Sequence, residues 1–239
     1  LRDALEINAQ PNAPTGQVEF TRSGLDVPGG PGDDLCLRAV RLVQQVRELP
    51  AINMHLHKAI PVGAGLGGGS SDATHTLLLL NKLFHLGLTG GELQSMTAEL
   101  GSDCPFFLGG STQLIEGRGE RSRPVALDLH GHTLVLVHPG IHVSTAEVYL
   151  NTVPSVHSVT LLELLDRAHD TWQIGLTNDM ETYVFSQHPG IAAIKQGLLD
   201  NGAWYAAMSG SGSSVFGIFK EPPMLPKDLP GQRTWCLKL

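Results

Sequence analysis

The sequence predicts an α+β protein, with helices and strands mixed and no strict βαβ alternation, and three observations carry that reading. Short alternating apolar stretches are interleaved with helical stripes along the whole chain. Clusters of Gly, Pro and Asp separate them. One glycine–serine segment, Pro61–Ala73, runs from a strand pattern straight into a helical one. The pattern restarts near residue 130, which divides the chain into 1–130 and 131–239.

Leu1–Ala9 and Gln17–Thr21 read as short strands around a turn at Pro11–Gly16, and Gly24–Asp34 reads as loop. Leu35, Ala39, Leu42, Val43 and Val46 place a helix over Leu35–Val46. Ile52–Ile60 alternates as a strand, which puts His55 and His57 on one strand face rather than at a metal. Ala73, Leu77, Leu80 and Phe84 form a helical stripe that starts near Ser70 and ends by Gly87. Thr89 and Glu92 have capping-box spacing and open a helix through Leu100. Ser102–Pro105 begins the next element, Ser111–Glu116 reads as a strand and Gly117–Arg123 as a charged turn.

In the second half, Thr133–His138, Ala203–Met208, Ser214–Phe219 and Arg233–Leu237 read as strands. Helices are expected from the Ser144/Glu147 capping box, over Leu161–Ala168, Asn178–Gln187 and Pro189–Asn201. Asn151–Ser158 reads as loop, and the tail from Pro222 is proline-rich.

The 239 residues carry 16 basic and 23 acidic side chains, a net charge of −7. That balance argues against a nucleic-acid partner. A bound polyphosphate would have to be held by backbone N–H groups, a metal and a few cations. No apolar run approaches the roughly 18–20 residues of a membrane span. Cys36, Cys104 and Cys236 show no CxxC spacing, which argues against a zinc site or a disulfide framework and for a cytoplasmic, reduced protein. No signal peptide is visible; the chain does not begin with Met, and a preceding segment is expected.

Pro61–Ala73 has five glycines within Gly63–Gly69. Glycine permits positive φ and close wrapping of the backbone. Successive N–H groups then form an anion nest, and the following helix N-terminus adds donors and partial positive charge. Ser70 and Ser71 add hydroxyls. Gly63–Gly68 also fits the dinucleotide pattern G-x-G-x-x-G, but Glu92 belongs to a capping box and no other convincing acidic residue lies roughly 20 residues on. A Walker A loop is excluded because no Gly-Lys-Ser/Thr follows.

Pro61-Val-Gly-Ala-Gly-Leu-Gly-Gly-Gly-Ser-Ser-Asp-Ala73 resembles the second signature of the GHMP kinases, the galactokinase, homoserine, mevalonate and phosphomevalonate kinase superfamily. Three glycines before Ser-Ser resemble the branch that phosphorylates a cytidine-diphosphate-linked methylerythritol in non-mevalonate isoprenoid precursor synthesis. Leu100–Leu108 resembles the catalytic-aspartate segment, Met208–Phe216 the third glycine motif, and His138–Ala146 a substrate-side strand and turn. The resemblance implies a two-domain fold, with a ribosomal protein S5 domain 2-like N-terminal domain that binds ATP and a ferredoxin-like C-terminal domain. It implies ATP and Mg2+ as cofactors, a small-molecule alcohol as substrate, no membrane, and a monomer or homodimer.

Residue by residue, the resemblance implies that Asp103 is the catalytic base. ATP is expected at Pro61, Val62, Gly63, Ala64, Gly65, Leu66, Gly67, Gly68, Gly69, Ser70 and Ser71, with Lys58 on the nucleotide side and Mg2+ near Ser70. Asp34 stands where the family commonly has an adenine-contacting Asn; Asp lacks the amide donors, and a helix N-cap is an equal reading. Asp72 reads as a structural residue of the first helical turn. Thr145 and Tyr149 are expected at the substrate, Tyr149 stacking on cytosine, with capping and core packing as alternatives. Ser209, Gly210, Ser211 and Gly212 are expected to back the phosphates at the substrate. The family also carries a lysine and a cytosine-pairing histidine in a segment ahead of the one matched by Leu1, and no lysine precedes Lys58. Another GHMP kinase, or a non-catalytic ATP-binding protein on this scaffold, remain the competing readings.

Overall fold

Strict alternation along β3 (Ile52–Lys58) sends Ile52, Met54 and Leu56 to one face, where they are buried, and Asn53, His55 and His57 to the other. This strand is the centre of a three-stranded sheet. β1 (Ala4–Ala9) pairs with it antiparallel and β2 (Val18–Gly24) parallel. On the polar face, the His55 ring bonds Thr21 Oγ1 at 2.7 Å and Ser23 Oγ at 2.9 Å, and Ser23 Oγ also meets His57 Nδ1 at 2.9 Å.

The structure is a computed structural model that describes the chain except residues 31, 33, 120, 156–158 and 225–232. Parts of the loops expected over Gly24–Asp34, over Asn151–Ser158 and beyond Pro222 therefore lie outside the described residues. Two units are present: Leu1–Val62 with Gly67–Ala126, and Gly63–Leu66 with Leu127–Leu239.

In the first unit, α1 (Leu35–Val46), α2 (Gly68–Leu83) and α3 (Gly90–Leu100) join the apolar face of the sheet in one core. Its centre holds Val43, Met54, Leu77 and Leu80. The Thr89/Glu92 capping box forms in full, each side chain reaching the other's backbone N–H. α2 starts at Gly68, two residues before the expected Ser70, because the first helical bond already runs from Ser71 N–H to the Gly67 carbonyl. A 3-10 turn (Cys104–Leu108) has Pro105 in its first turn. The expected turn at Gly117–Arg123 is instead the tip of a hairpin: β4 (Gln113–Glu116) pairs with β5 (Arg121–Pro124). β5 is exposed throughout and carries no buried apolar residue, so it offers no alternation to read.

In the second unit a four-stranded antiparallel sheet runs in the order β7-β8-β6-β9, with β6 (Thr133–His138), β7 (Tyr205–Met208), β8 (Val215–Phe219) and β9 (Arg233–Lys238). α4 (Thr145–Asn151), α5 (Leu161–Leu165), α6 (Trp172–Gly175), α7 (Met180–Gln187) and α8 (Pro189–Asp200) complete it. α5 stops three residues short of Ala168, and α6, only four residues long, has no periodic signal. Val135, Val137, Ile191, Ile194 and Leu198 are fully buried between sheet and helices.

Leu77 is fully buried in the first core. Leu77→Ala is expected to lower the unfolding free energy of that unit by about 2–5 kcal/mol, read by denaturant titration.

Candidate active site

The segment Pro61–Ser71 leaves β3 and enters α2. Gly63, Gly65 and Gly67 all take positive φ, at +67°, +72° and +65°. At Gly65 the requirement is also steric: a Cβ there would lie 2.0 Å from the carbonyl oxygen of Ser209. Ser209 Oγ donates to the Gly65 carbonyl at 2.7 Å, and Ser214 N–H donates to the Ala64 carbonyl at 3.1 Å. Gly67 is the left-handed N-cap of α2, and a Cβ on it would meet the Phe107 ring at 3.0 Å. A Cβ on Gly68 would lie 2.9 Å from Ile60 Cγ2. The N–H groups of Gly68, Gly69 and Ser70 belong to the first turn and have no helical carbonyl behind them. Together with the positive end of the helix dipole they form an anion-binding end. Pro61, Ala64 and Gly68 are buried, Val62, Gly63 and Gly69 exposed, and Leu66, Ser70 and Ser71 half-buried.

Asp103 sits at the head of the 3-10 turn. That turn is tied to α2, since Thr74 Oγ1 donates to the Cys104 carbonyl at 2.9 Å. Gly119 approaches so closely that a Cβ on it would lie 1.9 Å from the Ser102 carbonyl oxygen, which pins the residue before Asp103 from the other side. The neighbouring aromatics do not shield Asp103. Phe106 itself points outward, and the Asp103 carboxylate is exposed and makes no capping bond. Among the described residues it is an acceptor with no side-chain hydrogen bond, on a backbone braced from two sides.

Lys58 is where sequence reasoning is corrected. Its side chain is only 3% exposed, and its ammonium donates to Asp3 Oδ2 at 2.5 Å and to Asp72 Oδ2 at 2.7 Å. The two carboxylates neutralise and enclose the charge that was expected to face the nucleotide. Asp3 Oδ1 also accepts from the N–H groups of Ala59 and Ile60, at 2.6 and 2.8 Å. Burial works to raise the Asp3 carboxyl, but those N–H donors and the Lys58 ammonium hold it below its ordinary value. Asp72 lacks such donors, and burial pushes it up to about 6 against the pull of Lys58. Asp34 is the N-cap of α1: it accepts from Cys36 N–H at 2.9 Å and pairs with Arg22 at 3.5 Å. A carboxylate so engaged takes the capping reading rather than adenine contact.

In the second unit, Thr145 lies in the first turn of α4, and its hydroxyl is 2.9 Å from Ser211 Oγ. Ser144, not Thr145, caps that helix by accepting from Glu147 N–H. Tyr149 is 65% exposed on α4, which removes core packing as its explanation. Gly210 and Gly212 take positive φ, and Ser211 and Gly212 are buried. Two residues not singled out in the sequence hold this loop. Asn178 Nδ2 donates to the carbonyls of Met208 and Gly210 at 3.0 and 2.8 Å. Glu181 Oε1 accepts from Met208 N–H at 2.8 Å, while its other oxygen takes the Lys195 ammonium at 2.5 Å. The readable signal was a glutamate on the helix face that also carries buried Val184.

The GHMP kinases N terminal domain family matches residues 34–111, and the GHMP kinases C terminal family matches residues 159–224. A 4-diphosphocytidyl-2-C-methyl-D-erythritol kinase of Cytophaga hutchinsonii is 42% identical over 222 residues, which cover 92% of this chain and 80% of that protein. The protein of the same name from Bacteroides thetaiotaomicron is 41% identical over 238 residues, covering 100% and 86%. A crystal structure of 4-(cytidine 5'-diphospho)-2C-methyl-D-erythritol kinase superposes with a TM-score of 0.74 at 28% identity, covering 98% of this chain and 84% of that one. Mevalonate kinase of Methanococcus jannaschii shares the fold, with a TM-score of 0.67 at 13% identity, covering 99% and 88%.

Gly65→Ala introduces a Cβ into the Ser209 carbonyl and strains a positive φ; ATP affinity is expected to fall at least about tenfold by calorimetric titration. A raised Asp72 means that the folded state favours its protonated form. Its contribution to stability is present below the ordinary value near 3.8 and is lost as pH rises through about 6. Asp72→Asn is therefore expected to flatten the stability profile between pH 4 and 6, by about 2 kcal/mol across the window, read from urea unfolding at each pH.

Proposed function

The chain belongs to the GHMP kinase family, and from that premise we propose that it transfers the γ-phosphoryl group of ATP to the 2-hydroxyl of 4-diphosphocytidyl-2-C-methyl-D-erythritol. The products are the 2-phosphate and ADP, in non-mevalonate isoprenoid precursor synthesis. The observation that carries this reading is the identity of 42% over 92% of the chain to a kinase of that name.

The site's chemistry supports it. Phosphoryl transfer is mainly positioning and charge stabilisation. The N–H groups at Gly68, Gly69 and Ser70 suit the triphosphate of ATP, as unpaired donors at the start of a helix do. Mg2+, when bound, neutralises charge on the β- and γ-phosphates. The hydroxyl of Ser70 and the phosphates would hold it, in keeping with its preference for oxygen donors and retained waters. Asp103 accepts the proton of the substrate hydroxyl as that oxygen attacks phosphorus; its exposed carboxylate and braced backbone suit the role. Tyr149 offers an exposed ring on which cytosine stacks, and Thr145 with Ser211 offers paired hydroxyls to the substrate. Ser209, Gly210 and Gly212 back the phosphates.

Residues 1–130 then serve as the ATP-binding N-terminal domain and 131–239 as the C-terminal domain. The enzyme works in the cytoplasm as a monomer or homodimer, without nucleic acid. Among the described residues no helix is long and apolar enough to cross a membrane.

Coupled ADP release by the full-length protein is expected with the cytidylylated substrate and not with mevalonate, homoserine or galactose. Absence of turnover with the first would overturn the proposal. Asp103→Asn is expected to lower kcat by about 100-fold or more while ATP still binds. Retained turnover removes Asp103 as the base.

A further inference from the structure

Three segments meet at the Lys58 ammonium. Lys58 is the last residue of β3, Asp3 precedes β1, and Asp72 is the fifth residue of α2, just past its first turn rather than in it as the sequence suggested. Asp3 also binds the N–H groups of Ala59 and Ile60, so the chain leading out of β3 is held at its first two steps. The helix end rests directly on this point: a Cβ on Gly68 would touch Ile60 and lie 3.4 Å from Lys58 Nζ. All three charged side chains are at most 8% exposed.

Stability alone does not account for such an arrangement. Desolvating charges is costly, and well-packed apolar side chains of the same volume are often at least as stabilising. An ammonium beside a helix N-terminus is also unfavourable to the macrodipole. What an ionic clamp supplies that an apolar contact does not is direction, because its short charge-assisted bonds fix the angle between the elements they join. Asp72 directly follows Ser70 and Ser71, so its bond to Lys58 sets the rotation of the turn that presents the Gly68, Gly69 and Ser70 N–H groups.

We propose that Lys58, held between Asp3 and Asp72, is a positioning residue that orients the phosphate-binding turn of α2 without touching ATP. The inference rests on the kinase reading given above, and the test separates the two. In the full-length enzyme, Lys58→Met leaves buried carboxylates without a counter-ion; Tm falls, and KM for ATP rises at least about tenfold with kcat changed less. The double variant Lys58→Met/Asp72→Asn removes one of the two uncompensated charges and leaves Asp3, which still accepts from the N–H groups of Ala59 and Ile60, so Tm recovers in part, but the direction of the turn is still lost and the raised KM persists. Amide hydrogen exchange without nucleotide reads the same turn independently of activity: exchange at Ser71, whose N–H bonds the Gly67 carbonyl, is faster in the double variant than in the wild type. A double variant with wild-type KM for ATP and wild-type exchange overturns the positioning role. If the wild type itself neither binds ATP nor turns over, the kinase reading fails, and the exchange result alone decides whether the clamp orders the turn.

Discussion

Backbone packed against backbone is the constraint on which the site depends. An acidic protein that must hold a polyphosphate has few cations to offer, and the lysine beside the loop is enclosed by two carboxylates. Donors must therefore come from the main chain, and main chain can present them only where side chains are absent. Gly65, where a Cβ would run into the Ser209 carbonyl, is the backbone-to-backbone case, and Gly68, where it would meet the Ile60 side chain, adds to it. The left-handed cap at Gly67 then starts α2 early enough to leave three N–H groups uncommitted.

The holding of this geometry is done by buried polar groups, and they are satisfied rather than merely present. Asp3 and Asp72 neutralise Lys58; Asn178 and Glu181 satisfy the main chain around Met208–Gly210, with Lys195 balancing Glu181. A satisfied buried network specifies one arrangement of the backbone, whereas an unsatisfied one would cost more than an apolar contact.

Much of this was legible in the sequence, and the exceptions have physical reasons. β3, α1, α3 and β8 announce themselves because one face is buried and the other is not, or because caps and turns bound them. The glycine loop declares its backbone requirement directly. β5 does not, since all four residues are exposed and its pairing is set by β4 alone. The exposure of Asp103 is not legible either, since Phe106 suggests shelter from its type but points outward. The Lys58–Asp72 pair spans 14 positions and two element types, so no periodicity reveals it; it becomes visible only when the end of β3 and the start of α2 are known to touch. The family resemblance supplied a role for Lys58 that the burial of its ammonium does not support.

The hydrogen bond from Ser209 to Gly65 closes a span of 144 residues. Contacts of such sequence separation carry the loop-closure entropy of everything between them and form late. During synthesis the Gly63–Leu66 segment therefore emerges long before the partners that shape it, and it stays without them until the chain beyond Ser214 has been made. A product that terminates early would carry the whole signature in its sequence and lack the conformation that gives the signature meaning.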